Sequence, residues 1–281
     1  MSNQFKTLLL MGLLSGILLA IGFLIGGKSG LTIALIIAIV INFLTYWFSA
    51  KIALFIYGAK EADKKKYPKL YELVKETADK ADLPMPKVYI IKNNAANAFA
   101  TGRNYKNSYV AFTEGILNLL SEDELKGVIA HELSHIKNRD VLVATIAAVI
   151  ASAISYLAFI GRFGLIFGSG SRDGNQGNVL ELLLLLILTP LIAMFIQFGI
   201  SRSREYLADE SAARILKNSR GLASALYKLE NSDKHGFHGS KAGASLFIVN
   251  PFSGQAFISL LSTHPPISKR IEKLNSIKFN Q

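Results

Sequence analysis

Two histidines four residues apart, with a glutamate directly after the first, stand at His131, Glu132 and His135. On a helix, positions i and i+4 project from one face, one turn apart. Both imidazoles can then reach one Zn²⁺ at about 2.0–2.1 Å. Glu132 is rotated by about 100° from His131, which puts it beside the metal. There it can take a proton from an activated water and later deliver one to a leaving amine. The chain has no cysteine. Disulfides and thiolate zinc sites are therefore excluded, and any metal rests on His, Asp or Glu.

A catalytic zinc ion usually has three protein ligands and one open position. Candidates for the third are His235, His238, His264, Glu181, Glu205, Asp209 and Glu210. Glu205 and Asp209 lie one turn apart on an expected helix. Glu205 can bind the metal while Asp209 accepts the free N–H of a ligating histidine and fixes its tautomer. Glu210 is about 100° round from Asp209 and points elsewhere. His235 and His238 flank Gly236 in an expected loop and read as solvated. Spacing alone leaves the choice between these residues open.

The elements that must position these groups are legible in outline. Ser121, with Glu124 three residues on, forms a capping box that starts a helix running to about Asn138. Helical spacing also covers 67–81, ahead of Pro84 and Pro86. Further helices are expected over 203–217 and 221–231, and a last one opening at Pro265 or Pro266. Val88–Ile91 and Tyr109–Phe112 read as strands, with a short one over Ala98–Gly102. An edge strand at Asn97, Ala98, Phe99 and Ala100 can pair with an extended substrate. His264, beside two prolines, can donate a hydrogen bond to an oxyanion or serve only as a structural contact at the helix start.

Four apolar runs separate these elements: Leu8–Ile25, Leu31–Ala50, Val141–Gly161 and Val179–Ile200. Each is about 20 residues, enough for roughly 30 Å of hydrocarbon. Hydrophobic residues make up 51% of the chain, too many for an ordinary soluble enzyme, so the formal charge of +11 reflects the positive-inside bias rather than nucleic-acid binding. Lys6, Lys51, Lys60, Lys64, Lys65, Lys66, Lys69, Lys137, Arg139, Arg202 and Arg204 fall on one side, against Lys28 and Arg172 on the other, with Arg162 assigned to neither. Arg202 and Arg204 read first as membrane-side anchors and second as candidates for substrate contacts. Both termini and both polar segments are then cytoplasmic, and Glu181 falls on the far side, away from the metal. The expected division is a transmembrane hairpin over 1–56, a first catalytic half over 57–140, a second hairpin over 141–200 and a second catalytic half over 201–281. The fold class is α+β, mainly helical: four transmembrane helices and one cytoplasmic zincin-like domain with a small sheet.

His131-Glu-Leu-Ser-His135 and Arg204-Glu-Tyr-Leu-Ala-Asp209, set between apolar hairpins, resemble the HtpX heat-shock membrane proteases, relatives of the CAAX prenyl endopeptidases. The resemblance runs the length of the chain and includes Asn97-Ala-Phe-Ala-Thr-Gly102 and His264-Pro-Pro266. It implies one zinc ion per chain with Glu205 as third ligand. It also implies a quality-control endopeptidase of the bacterial inner membrane, whose substrates are misfolded membrane proteins. A dedicated prenyl-protein processor is the nearer alternative. A non-enzymatic scaffold or metal transporter is the more distant one, and it would place ionisable residues at mid-membrane, where these runs have almost none.

Overall fold

The computed structural model describes residues 3–138, 140, 142–143, 146, 202–232, 246–249 and 265–279. The runs at Val141–Gly161 and Val179–Ile200 lie almost entirely outside these residues. So do Arg139, Glu181, His235, His238 and His264.

The first helical segment, α1 (Asn3–Ile56), leaves helical geometry at Gly26 and Gly27; Gly27 has φ of 56°, which a side chain would disfavour. The two expected runs are thus arms on either side of a glycine break. Among the described residues, Gly26–Leu44 is the stretch long and apolar enough to cross a membrane, and the first arm supplies a shorter apolar piece, Ser15–Leu24. Gly26–Leu44 shows large bare side chains over most of its circumference, among them Ile33, Ile36, Ile39 and Phe43, with Ala34 and Ala38 buried on the remaining face.

Beyond α1 comes a four-stranded sheet in the order β1-β2-β4-β3, with β1 (Lys60–Glu61), β2 (Lys87–Ile91), β3 (Ala98–Asn104) and β4 (Asn107–Thr113). β2 and β4 are parallel, while β3 and β4 form an antiparallel hairpin that leaves β3 at an edge. Strand β1 is an addition to the expected set. Its two charged residues carry no alternating pattern, and its pairing with β2 alone defines it.

Side-chain alternation decides what each face of the sheet meets. Ala98, Ala100, Val110 and Phe112 join the main core, together with Val128, Ile129 and Leu133 of α4 (Glu122–Lys137). Phe99 and Ala111 point the other way, to Ala53, Leu54 and Tyr57 at the end of α1. Tyr57, Phe99 and Phe247 meet edge to face, with ring centroids 4.7–5.7 Å apart. Each such aromatic pair contributes about 0.5–1.5 kcal/mol beyond its area. The end of α1 is thereby tied to the same sheet that α4 covers from the opposite face.

Among the described residues, further helices are α2 (Pro68–Lys80), the short α3 (Glu114–Leu119), α5 (202–216), α6 (Arg220–Glu230) and α7 (Ile267–Ser276). Helix α4 starts where the capping box requires: the Ser121 backbone N–H donates to Glu124 Oε2 at 2.8 Å. Glu124 also accepts from Ser224 Oγ at 2.6 Å and from Lys228 Nζ at 2.8 Å, tying α4 to α6. The two helices approach closely at Gly127, where a Cβ would meet the Leu222 backbone N at 2.6 Å.

Candidate metal centre

Helix α4 delivers His131 and Glu132 into the interior, fully or almost fully buried, with His135 at a partly open edge. Helix α5 brings Glu205 and Asp209 against them. The two imidazoles face each other, His131 Nε2 to His135 Nε2, at 3.2 Å. Glu205 Oε2 lies 3.6 Å from His131 Nε2, and Oε1 lies 3.4 Å from His135 Nε2. On the far side of each ring sits a carboxylate: Asp209 Oδ1 is 2.9 Å from His131 Nδ1, and Asp140 Oδ2 is 3.6 Å from His135 Nδ1.

These distances test whether a metal fits. Ligands at about 2.0–2.1 Å from a tetrahedral zinc ion lie about 3.3 Å from one another. The three separations here, 3.2, 3.4 and 3.6 Å, bracket that value. The carboxylates behind the rings favour protons on the Nδ1 atoms, which turns the Nε2 lone pairs toward the common point. The donor set of two imidazoles and a carboxylate is the one a catalytic zinc uses, and the geometry fits the ion.

The electrostatics agree. Burial pushes His131 below its ordinary value, toward the neutral form that ligates, with Asp209 opposing. Burial also opposes charge on His135, but Asp140 and Glu205 outweigh it and raise the group to about 10. Burial raises Glu132 to about 7, and the Ala100 backbone N–H bonds to its carboxylate.

Two residues that sequence reasoning missed complete the site. Arg270, on α7, is wholly buried. Its Nε and Nη2 donate to the two oxygens of Asp209 at 2.8 and 2.7 Å, and Nη1 donates to the Ile248 carbonyl at 3.0 Å. Nη1 also lies 3.2 Å from Glu205 Oε2. Burial would raise Asp209, but Arg270 and His131 hold it down to about 2. The signal was present: Arg270 falls in line with Ile267, Ile271 and Leu274 at helical spacing, a charge within an apolar stripe. The second residue is Asp140, five positions past His135. Arg204 calls for a correction. Expected as a membrane-side anchor, it is buried; burial lowers its pKa, with Asp140 and Glu205 opposing that shift. Glu210 is exposed and pairs with Arg214 at 2.7 Å, as its helical rotation implied.

Asn97, Ala98, Phe99 and Ala100 are buried. Asn97 and Ala98 are engaged by residues 246–249 of the same chain: Asn97 Nδ2 donates to the Val249 carbonyl at 2.8 Å, and the Ile248 N–H donates to the Ala98 carbonyl at 3.1 Å. The Phe99 ring packs on the α1 side, and Ala100 meets Glu132.

A mainly helical fold with a small mixed sheet, carrying such a site, defines a zinc metallopeptidase. The sequence agrees, since the model of Peptidase family M48 matches residues 64–278. The chain belongs to that family. It is 52% identical to a Protease HtpX homolog of Thermodesulfovibrio yellowstonii, with 98% of each chain covered. It is 49% identical to another from Pyrococcus furiosus, over 97% of this chain and 95% of that one. Among solved structures, Ste24p of S. mikatae superposes with a TM-score of 0.55 at 19% identity, which speaks to the fold alone. The match covers 97% of this chain and 65% of Ste24p.

Proposed function

We propose that this metalloprotease holds its zinc ion on His131, His135 and Glu205, with Asp209 orienting His131 and Glu132 acting as general base and then general acid. The observation that carries the assignment is the convergence of both Nε2 atoms and the Glu205 carboxylate at 3.2–3.6 Å, directly beside buried Glu132. Zinc held there would polarise the scissile carbonyl and make a water acidic. Glu132, raised to about 7 by burial, is suited both to accept and to return a proton near neutral pH. The Ala100 N–H fixes its carboxylate. A substrate strand adds to the edge of β3 from Ala100 onward, since residues 246–249 take the edge at Asn97 and Ala98. In this reading His264 donates to the oxyanion.

The membrane reading completes the proposal. Hairpins over 1–56 and 141–200 span the bilayer as four helices. The halves 57–140 and 201–281 form one domain on the cytoplasmic side, with both termini. The long bare helix at Gly26–Leu44 supports this, as does the one-sided distribution of basic residues. An enzyme confined to the bilayer meets membrane proteins, and misfolded ones offer the extended segments that an edge strand can bind. The test is Glu132→Ala in purified protein. The variant keeps its zinc and no longer cleaves a membrane-protein substrate that the parent digests in a chelator-sensitive way. A metal-free variant would show that Glu132 has been given the wrong role.

A further inference from the structure

One contact joins the apolar helix to the catalytic sheet in a way the peptidase reading does not use. The Arg103 guanidinium, near the end of β3, lies over the Trp47 ring at 4.2 Å and near the Tyr46 ring at 5.9 Å. Tyr46 and Trp47 follow directly on Gly26–Leu44 and remain 37% and 52% exposed. Aromatic rings of this kind, at the end of an apolar helix, belong at the level of lipid headgroups. Lys51, one turn further on, is exposed.

Arg103 is also the first residue of a built hairpin tip. Asn104 Oδ1 accepts from the backbone N–H groups of Lys106 and Asn107 at 3.1 and 2.9 Å. Ser108 Oγ donates to the Tyr105 carbonyl at 3.0 Å. Gly102, at φ 153°, passes so close to Asn107 that a Cβ would not fit. The turn is therefore rigid, and it presents Tyr105 and Lys106 outward. Among the described residues no carboxylate pairs with Arg103 or Lys106. An arginine stacked by its face keeps its N–H edge available, and Tyr, Lys and Arg with long apolar stems suit a surface that is greasy below and anionic above.

We propose that the β3–β4 tip, from Arg103 to Lys106, rests on the membrane and binds the phosphates of anionic lipid headgroups beside Trp47. This rests on the reading that Gly26–Leu44 spans the bilayer. The consequence for catalysis follows from strand geometry. Ala100, which bonds to Glu132, is three residues from Arg103, no more than about 10 Å along the strand. The tip thus holds the proteolytic centre at a short, fixed height above the lipid, and the substrates it favours are segments just leaving the bilayer.

The chain has one tryptophan and no cysteine, so Trp47 is a unique fluorophore and Tyr105→Cys a unique labelling site. Full-length zinc-loaded protein is reconstituted in phosphatidylcholine, or in equal parts phosphatidylcholine and phosphatidylglycerol. Brominated lipids then quench Trp47 and a bimane label at Tyr105→Cys. The expected result is quenching of both probes, with brominated phosphatidylglycerol preferred over brominated phosphatidylcholine. Arg103→Gln should weaken that preference about fivefold, as about 1 kcal/mol per basic residue requires, and the charge reversal Lys106→Glu should weaken it further. If Trp47 is quenched but the label stays as open to aqueous iodide as in detergent, the tip does not touch the membrane and the inference fails alone. If neither probe is quenched, the spanning reading fails with it. If Lys106→Glu raises the KM of a soluble peptide in detergent and leaves lipid preference unchanged, the tip is a substrate subsite and the proposal is overturned.

Discussion

Replacing Asp209 by asparagine separates two tasks that one carboxylate performs. Asp209 Oδ1 stands 2.9 Å from His131 Nδ1, and both of its oxygens accept from Arg270 at 2.7 and 2.8 Å. The amide brings no charge to Arg270 and leaves it only Glu205, 3.2 Å from Nη1, as a close counter-ion; full loss of a buried partner costs about 3–5 kcal/mol, which is the upper bound here. The amide can also donate to Nδ1, which moves the imidazole proton to Nε2 and closes the lone pair that faces His135. Loss of such a partner lowers metal affinity about 10–100-fold, or about 1.4–2.8 kcal/mol. The tasks come apart in the double variant Asp209→Asn, Arg270→Met. There the under-balanced guanidinium is gone and an apolar side chain fills its place, while Glu205 gives up its contact with Nη1. The metal-free double variant should recover more than half of the lost stability, followed by circular dichroism in urea. Its zinc affinity, measured by chelator competition at fixed pH, should stay as low as in the single variant. Recovery of zinc affinity together with stability would refute the reasoning, because Asp209 would then act only through the fold.

Three further outcomes follow from the same geometry. Glu205→Gln should release zinc to a chelator far more readily than Glu210→Gln, since Glu210 lies on the exposed face of α5 with Arg214; the reverse order would mean that the helix register is wrong. Burial would raise Glu124, but Lys228, Ser224 and the Ser121 N–H hold it down to about 2 from an ordinary 4.5. Its contribution, about 2 kcal/mol after discounting for half-exposed Lys228, is complete above pH 4.5 and is lost as pH falls toward 2. The stability difference between the parent and Glu124→Gln should shrink across that window, and a constant difference would contradict the assignment. Gly127→Ala should lower the thermal midpoint and loosen zinc. The Cβ would sit 2.6 Å from the Leu222 backbone, and overpacking costs about 1–3 kcal/mol, more than the gain of about 1 in helix propensity; a more stable variant would exclude that close approach.

What was legible in the sequence follows from how local each signal is. The α4 helix, its cap and the His131–His135 pair depend on neighbours within one or two turns, and the expected start at Ser121 coincides with the observed one. The helix that carries Glu205 ends at 216, within a residue of its expected end, and the face shared by Glu205 and Asp209 follows from 3.6 residues per turn. Strand β1 escaped because pairing, not pattern, defines it. Arg270 escaped for a different reason. Its partner Asp209 is 61 residues away, and nothing within α7 says which buried charge it meets. Arg204 was misread because a basic residue beside an apolar run has two destinations, the headgroups or a buried carboxylate. Only the fold distinguishes them.

The position of Arg270 along the chain bears on biosynthesis. A ribosome releases His131, His135, Glu205 and Asp209 before it reaches residue 270. Until then, two carboxylates that will be buried against the histidines lack the guanidinium that holds Asp209 down. They are better kept in water, and the metal pocket has no reason to close. The charge balance of the buried site is thus complete only once α7 is in place. A half-made chain carries His131, Glu132 and His135 before the guanidinium that balances Asp209 exists.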